Sequence, residues 1–304
     1  VLRFANAQRS RQPEIEWFAQ EVDRVSGGAL RVSFVDGWVT ADNPHEETAA
    51  VVAVMRGHAD LAWAGTRAFG CLGSRSLDPL QTPFLLEDYS VLHAVCRDGV
   101  TAEMLEGVKR LGLLGLVVLP GPQRKPFAFA RRLLGPRDYE GAKMRIHESL
   151  VATSAYRELN AEAVTLSPKQ MLTHPHNLID GLDLQTESLA GWGLRGSITF
   201  NVNLWPRTSA LVAAKRTVDW LGDAEREMLH DAAARTLTRA LDRLADQEQR
   251  DREAVPPQVT AIYAEDDEVA AIRERLAPVR EELRRHPETG GLLERLERLA
   301  ASVA

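Results

Sequence analysis

Cysteine is nearly absent, with Cys71 and Cys96 the only two in 304 residues. That is too few for a disulfide scaffold, and neither sits in the CxxC spacing used for zinc or thioredoxin-type chemistry. Two readings of the pair stay open. In an oxidising compartment a bond between them would close a loop of about 25 residues and stabilise by roughly 3–4 kcal/mol. Otherwise they are buried thiols acting as small hydrophobes. A basic excess is also missing. Lys and Arg number 37 against 43 Asp and Glu, a net charge of −6. The chain therefore lacks the cationic surplus needed to neutralise a nucleic-acid backbone, and no nucleic-acid partner is expected. No apolar run approaches the roughly 20 residues of a membrane-crossing helix. The longest, residues 111–120, is interrupted by Gly112 and Gly115. No charged and apolar leader is visible ahead of the strand-like Val1-Leu2-Arg3-Phe4. Catalytic signatures are wanting too: there is no GxSxG elbow, Walker loop, GxGxxG after a strand, or HExxH. Gly191-Trp192-Gly193 neither follows a convincing strand nor opens a helix.

What is present is an alternation of short β patterns and amphipathic helices. Residues 2–5 read as a strand. Pro13 opens a helix with Ile15, Phe18, Ala19 and Val22 on one face, and Gly27-Gly28 stops it. Residues 30–35 alternate apolar and polar as a half-buried strand does, 46–56 form a second helix, and 60–64 a third strand. Such alternation predicts a largely parallel sheet with helices on both faces and ligands at the carboxyl ends of its strands. A helix over 89–111 and a strand over 113–119 follow, and Pro120-Gly121-Pro122 marks a break. A second α/β unit then has strands over 127–130 and 143–146, a helix over 150–159, and a short strand over 211–214. Asp223 begins a helix expected to run to about Ala254, where Val255-Pro256-Pro257 stops it. At 1.5 Å per residue it would be about 48 Å long, enough to bridge two lobes. The charge-mixed helical tail over 266–304 reads as a solvated face.

Two places carry candidate chemistry. Thr173-His174-Pro175-His176-Asn177 brings two imidazoles close together, and with His147 and Glu148 they form the conceivable metal site. Arg145, in Lys143-Met144-Arg145-Ile146, is a guanidinium in an apolar strand, where an unpaired charge is costly. It needs an anion, either a structural carboxylate such as Glu148 or the carboxylate of a ligand held in two parallel hydrogen bonds.

The order of short motifs resembles the DctP-type solute receptors of the tripartite ATP-independent periplasmic (TRAP) transporters. The resemblance rests on Leu2-Arg3-Phe4-Ala5-Asn6-Ala7, on Gly57-His58-Ala59-Asp60-Leu61, and on Thr82-Pro83-Phe84-Leu85-Leu86-Glu87-Asp88-Tyr89. Its best match is Asp138-Tyr139-Glu140-Gly141-Ala142-Lys143-Met144-Arg145-Ile146, similar to the family's D-L-K-G-L-K-I-R-V. Leu178-Ile179-Asp180-Gly181, Asn203, Ser209-Ala210-Leu211-Val212 with Lys215, and Leu221-Gly222-Asp223 follow in order. The resemblance implies an α/β, two-lobe, periplasmic-binding-protein-like (Venus flytrap) fold with a long bridging helix. One lobe would comprise 1–121 and about 211–254, the other 122–210 and about 255–304. It implies a non-catalytic, extracytoplasmic, monomeric receptor without cofactor, closing over a small organic acid and delivering it to integral-membrane permease subunits. Arg145 would hold the ligand carboxylate, Arg124 would be the second arginine, and Trp63, Arg67 and Asn6 would lie near ligand. Trp63 and Trp192 are cleft walls in this reading and core side chains otherwise.

Departures from the family pattern concern the cleft. Leu184 stands where an Asn is usual, leaving Gln185 as the substitute. His147 and Glu148 replace neutral residues, and Glu148 would pair with Arg145 or favour a ligand bearing a cation. The usual A-L-Q-x-G helix is Thr173-His174-Pro175-His176-Asn177. Two rivals therefore stand beside the receptor: a metal-dependent α/β enzyme using His174 and His176, and a receptor-like sensor or scaffold with an altered cleft.

Overall fold

The computed structural model describes residues 1–6, 12–35, 42–173 and 175–303. Among these, ten strands form: β1 Leu2–Ala5, β2 Val32–Val35, β3 Leu61–Gly65, β4 Leu113–Ala128, β5 Lys143–Ile146, β6 Glu162–Thr165, β7 Gly181–Leu184, β8 Gly196–Thr199, β9 Trp205–Ala214 and β10 Val259–Ile262. Their order is β2-β1-β3-β9-β4-β7-β5-β6, with β8 pairing both β4 and β10. Each lobe is built on parallel strands: β1 with β2 and β3 in the first, β5 with β6 and β7 in the second. The expectation of a largely parallel sheet needs one correction. The long strands β4 and β9, which run between the lobes, are antiparallel to their neighbours.

The first helix, Pro13–Val25, follows its sequence pattern. Pro13 sits in the first turn, Ile15, Phe18 and Val22 are buried, and Gly27 and Gly28 leave the helix at φ +58° and +84°, where a side chain would be strained. Its apolar face packs with Leu2, Phe4, Leu61 and Leu211 on one side of the first lobe's sheet. The opposite side of that sheet, with Ala62, Ala64 and Val212, is continuous with Met144, Ile146, Tyr156 and Trp205 of the second lobe. A third cluster, including Phe127, Leu182 and Ile198, fills the other face of the second lobe.

Three sequence expectations fail here for identifiable reasons. Pro120-Gly121-Pro122 does not break the chain: β4 runs through it for 16 residues. The register against β9 shifts between Pro120 and Gln123, and a bulge is where proline's missing N–H costs no ladder bond. A Cβ on Gly121 would collide with the Arg207 guanidinium, which lies against this backbone. The 89–111 helix divides into Tyr89–Arg97, Val100–Glu106 and a 3₁₀ turn at Gly107–Leu111. Extended Asp98 stops the first piece and accepts the Val100 amide at 2.9 Å to start the next. The long helix covers Asp223–Leu244, about 33 Å at 1.5 Å per residue, and does not reach Ala254. A separate helix, Gln247–Glu253, turns Gln247 and Asp251 inward. The long helix still links the lobes. It packs on Pro13–Val25 and β4, while Arg243 near its end donates to Glu187 at 3.0 Å. No helix among the described residues is long and apolar enough to cross a membrane.

Candidate functional site

The strand crossing places three arginines together. Arg124 is the last residue of β4 paired with β9, and Lys125 the first paired with β7. Because successive side chains on a strand alternate faces, Arg124 and Lys125 diverge. Arg145 comes from β5, and Arg67 from the short helix Arg67–Cys71 that follows β3. Arg67, Arg124 and Arg145 are only 7%, 5% and 4% exposed, and their charges act on one another.

Two of the three are paired. Arg124 Nε binds the Asp183 carboxylate on β7, and its Nη2 donates to the Asp183 carbonyl at 2.6 Å. Trp205 Nε1 donates to the same carboxylate at 3.2 Å. Arg67 Nη2 binds Glu47 on the helix Glu46–Met55, while its Nε is buried without a partner among the described residues. Arg145 differs. Among the described residues no carboxylate lies within ion-pair distance of it, and its Nε is buried and unpartnered. Its Nη2 meets His147 Nδ1 at 3.4 Å, and its guanidinium stands 5.7 Å from the Trp192 ring centre. Burial, then the charge of Arg124, lowers its pKa to about 10, which leaves it charged at neutral pH. His147 is held well below its ordinary 6.5 by burial and by Arg145, Arg67 and Arg124, so its imidazole is neutral and accepts from Arg145. Taking a guanidinium out of water without an anion costs several kcal/mol. An incoming carboxylate would recover that cost.

The expected Arg145–Glu148 pair does not form. Glu148 faces the first lobe, where His45 Nδ1 lies 3.0 Å from it and the Thr48 hydroxyl donates at 3.0 Å. Asn203 sits on the other face of the crossing. It accepts from Lys125 Nζ at 2.5 Å and donates to the Glu87 carbonyl at 3.1 Å. Gln185 follows β7 directly, half-buried, accepting from the Ser188 hydroxyl at 3.4 Å. Asn6 is buried just after β1, its backbone N–H donating to the Val35 carbonyl at 3.5 Å. Trp63 packs in the first-lobe core beneath Arg207, 5.4 Å from its ring, with Nε1 buried and unpartnered among the described residues. His174 lies outside the described residues, His176 meets the Phe129 ring, and no group able to hold a metal occurs among the described residues. Cys71 and Cys96 are separate thiols, pushed up by burial to about 11 and about 12.

The profile of the family described as DctP, bacterial extracellular solute-binding protein family 7, matches residues 4–286. The chain belongs to the DctP family. It is thus an extracytoplasmic binding receptor and not the metal-dependent enzyme that His174 and His176 suggested. Solved structures share the fold across the whole length. The TRAP periplasmic solute-binding protein of Ralstonia eutropha, with bound (S)-2-acetolactate, is 19% identical with a TM-score of 0.83, covering 99% of this chain and 98% of its own. The sugar acid-binding protein of Advenella mimigardefordensis, in complex with galactonate, is 20% identical with a TM-score of 0.82, covering 100% and 98%. The periplasmic ectoine-binding protein of a TRAP transporter from Halomonas elongata is 17% identical with a TM-score of 0.83, covering 99% of each chain. Among curated proteins, none matches the chain.

Two partners of the buried arginines went unread in the sequence of this DctP-family chain. Asp183, between Leu182 and Leu184, is a charge in an apolar strand, the same signal that drew attention to Arg145. Glu47 carries no such signal, because its partner Arg67 is brought to it by the helix and β3 together.

Proposed function

We propose that this protein captures a small organic acid, with its carboxylate on Arg145, by closing its two lobes, and delivers it to integral-membrane permease subunits. The observation that carries the reading is the buried Arg145 guanidinium, which has no carboxylate partner among the described residues. Arg124 adds its Nη1, which makes no hydrogen bond among the described residues, to the same carboxylate. Trp192 covers Arg145, neutral His147 orients it, and Arg67, Asn6 and Gln185 border the space around the ligand. The lobes would divide as 1–121 with about 211–254, and 122–210 with about 255–304. Carboxylates bound to two of the structural relatives support the ligand class.

Closure follows from differential contact. A ligand that bridges the lobes binds the closed form alone and shifts the population toward it. A thermal-shift screen of organic acids tests the reading, because a ligand of the folded state stabilises it by RT ln(1 + [L]/Kd). Hits that stabilise Arg145→Ala as much as the parent protein would reject the carboxylate assignment.

A further inference from the structure

The charges buried at the crossing do not cancel. Arg67, Arg124 and Arg145 supply three positive charges, while Glu47 and Asp183 supply two negative ones, each committed to one arginine. His147 adds none, since its imidazole is neutral. Among the described residues one positive charge is left, on Arg145. A second ligand carboxylate would need a second available guanidinium, and the remaining arginine of the three, Arg67, is already held by Glu47, with both side chains almost fully buried. Glu46, on the same helix, adds a negative charge that acts on Arg145. In a medium of low dielectric an unmatched second carboxylate is strongly disfavoured. Arg67 Nε, however, is a buried N–H donor without an acceptor among the described residues. A neutral oxygen would satisfy it and bring no charge.

We propose that the Glu47–Arg67 pair sets the ligand's charge, restricting this receptor to monocarboxylates that carry a hydroxyl or carbonyl oxygen for Arg67 Nε and rejecting dicarboxylates. The inference rests on the reading of Arg145 as the carboxylate holder. It makes Glu47 a specificity-determining residue that acts through Arg67.

Titration calorimetry on the full chain tests it with acids matched except for a second carboxylate: galactonate against galactarate, and lactate against malate. The expected result is that at least one monoacid binds at least tenfold tighter than its diacid. In Glu47→Gln, with Arg67 released, the ratio should fall at least tenfold, whereas Glu47→Asp, which keeps the charge, should preserve the preference. A diacid that binds the parent protein as tightly as its monoacid overturns the inference without any variant. So does an unchanged ratio in a folded Glu47→Gln. Failure of the underlying reading looks different: no acid binds, or binding survives in Arg145→Ala. Binding that Arg145→Ala abolishes, with no preference for the monoacid, sinks this inference alone.

Discussion

Arg124 and Lys125 are consecutive cations on β4, and the pleat sends them to opposite faces of the same crossing. On the Lys125 face the buried charges are held by neutral internal partners. Lys125 Nζ donates to the Phe200 carbonyl at 2.8 Å and to Asn203 at 2.5 Å, and stands 4.5 Å from the Phe200 ring centre. Beyond it, buried Asp251 accepts from Tyr89 at 2.5 Å, and from Thr186 and Gln247 at 3.0 Å each. Tyr89 also accepts the Gln123 amide of β4 at 3.0 Å. On the Arg124 face, Asp183 meets Arg124 and Glu47 meets Arg67, and Arg145 is left over. The difference teaches how to separate frame from site. Buried polar groups with internal partners hold the lobes together, and the proposed function assigns the one cation without a carboxylate among the described residues to a ligand.

The sharpest way to break this comparison is to delete the leftover charge. Arg145→Ala should weaken acid binding at least a hundredfold, a loss of about 3 kcal/mol or more, by calorimetry. The melting temperature of the unliganded protein should hold or rise, because no internal ion pair is lost. A fall in unliganded stability would mean that Arg145 belongs to the frame.

Asp251→Ala is the complementary cut. It strands the Tyr89, Thr186 and Gln247 donors in the interior, and urea denaturation should show a stability loss of about 3 kcal/mol. A loss below about 1 kcal/mol would erase the contrast between the two faces.

A smaller effect comes from pH. Burial lowers Lys125 from its ordinary 10.5 to about 8. Between those values the unfolded chain binds more protons than the folded one at this position, so its contribution to stability rises with pH across the window. The slope cannot exceed about 1.4 kcal/mol per pH unit, the limit for one proton. Lys125→Met should lack this component when denaturation is compared at pH 8 and pH 10. Parallel pH dependences in the two proteins would show that Lys125 is not desolvated.

The smallest effect is expected at Glu148, whose contacts with His45 and Thr48 span the lobes at a half-exposed site. Glu148→Gln should weaken ligand binding less than about fivefold, under about 1 kcal/mol, as exposed ion pairs do. A larger loss would move Glu148 from the rim into the ligand site.

Much of the fold was legible because local rules and tertiary packing agree. The 3.6-residue spacing of Ile15, Phe18 and Val22 and the flanking Pro13 and Gly27 mark a helix that needs no distant residue to define it. Residues 120–122 misled, since proline and glycine break isolated strands but are accommodated by a bulge against β9. The end of the long helix misled as well. The expected helix runs straight through residues 245–246, because apolar periodicity gives no separate face to Gln247–Glu253, whose inward side chains, Gln247 and Asp251, are polar.

Arg145 shows where the boundary falls. Its place in an apolar strand, Met144 to Ile146, determined from sequence alone that a buried cation would need an anion, because desolvation of a charge depends on immediate surroundings that the strand pattern reveals. Which anion it meets could be settled only in three dimensions. Glu148, three residues away, turns to His45, while Asp183 and Glu47, from β7 and from the first lobe, are brought in and taken by Arg124 and Arg67. Pairing among buried charges depends on distances between elements remote in the chain, so the one charge left over is a property of the folded molecule.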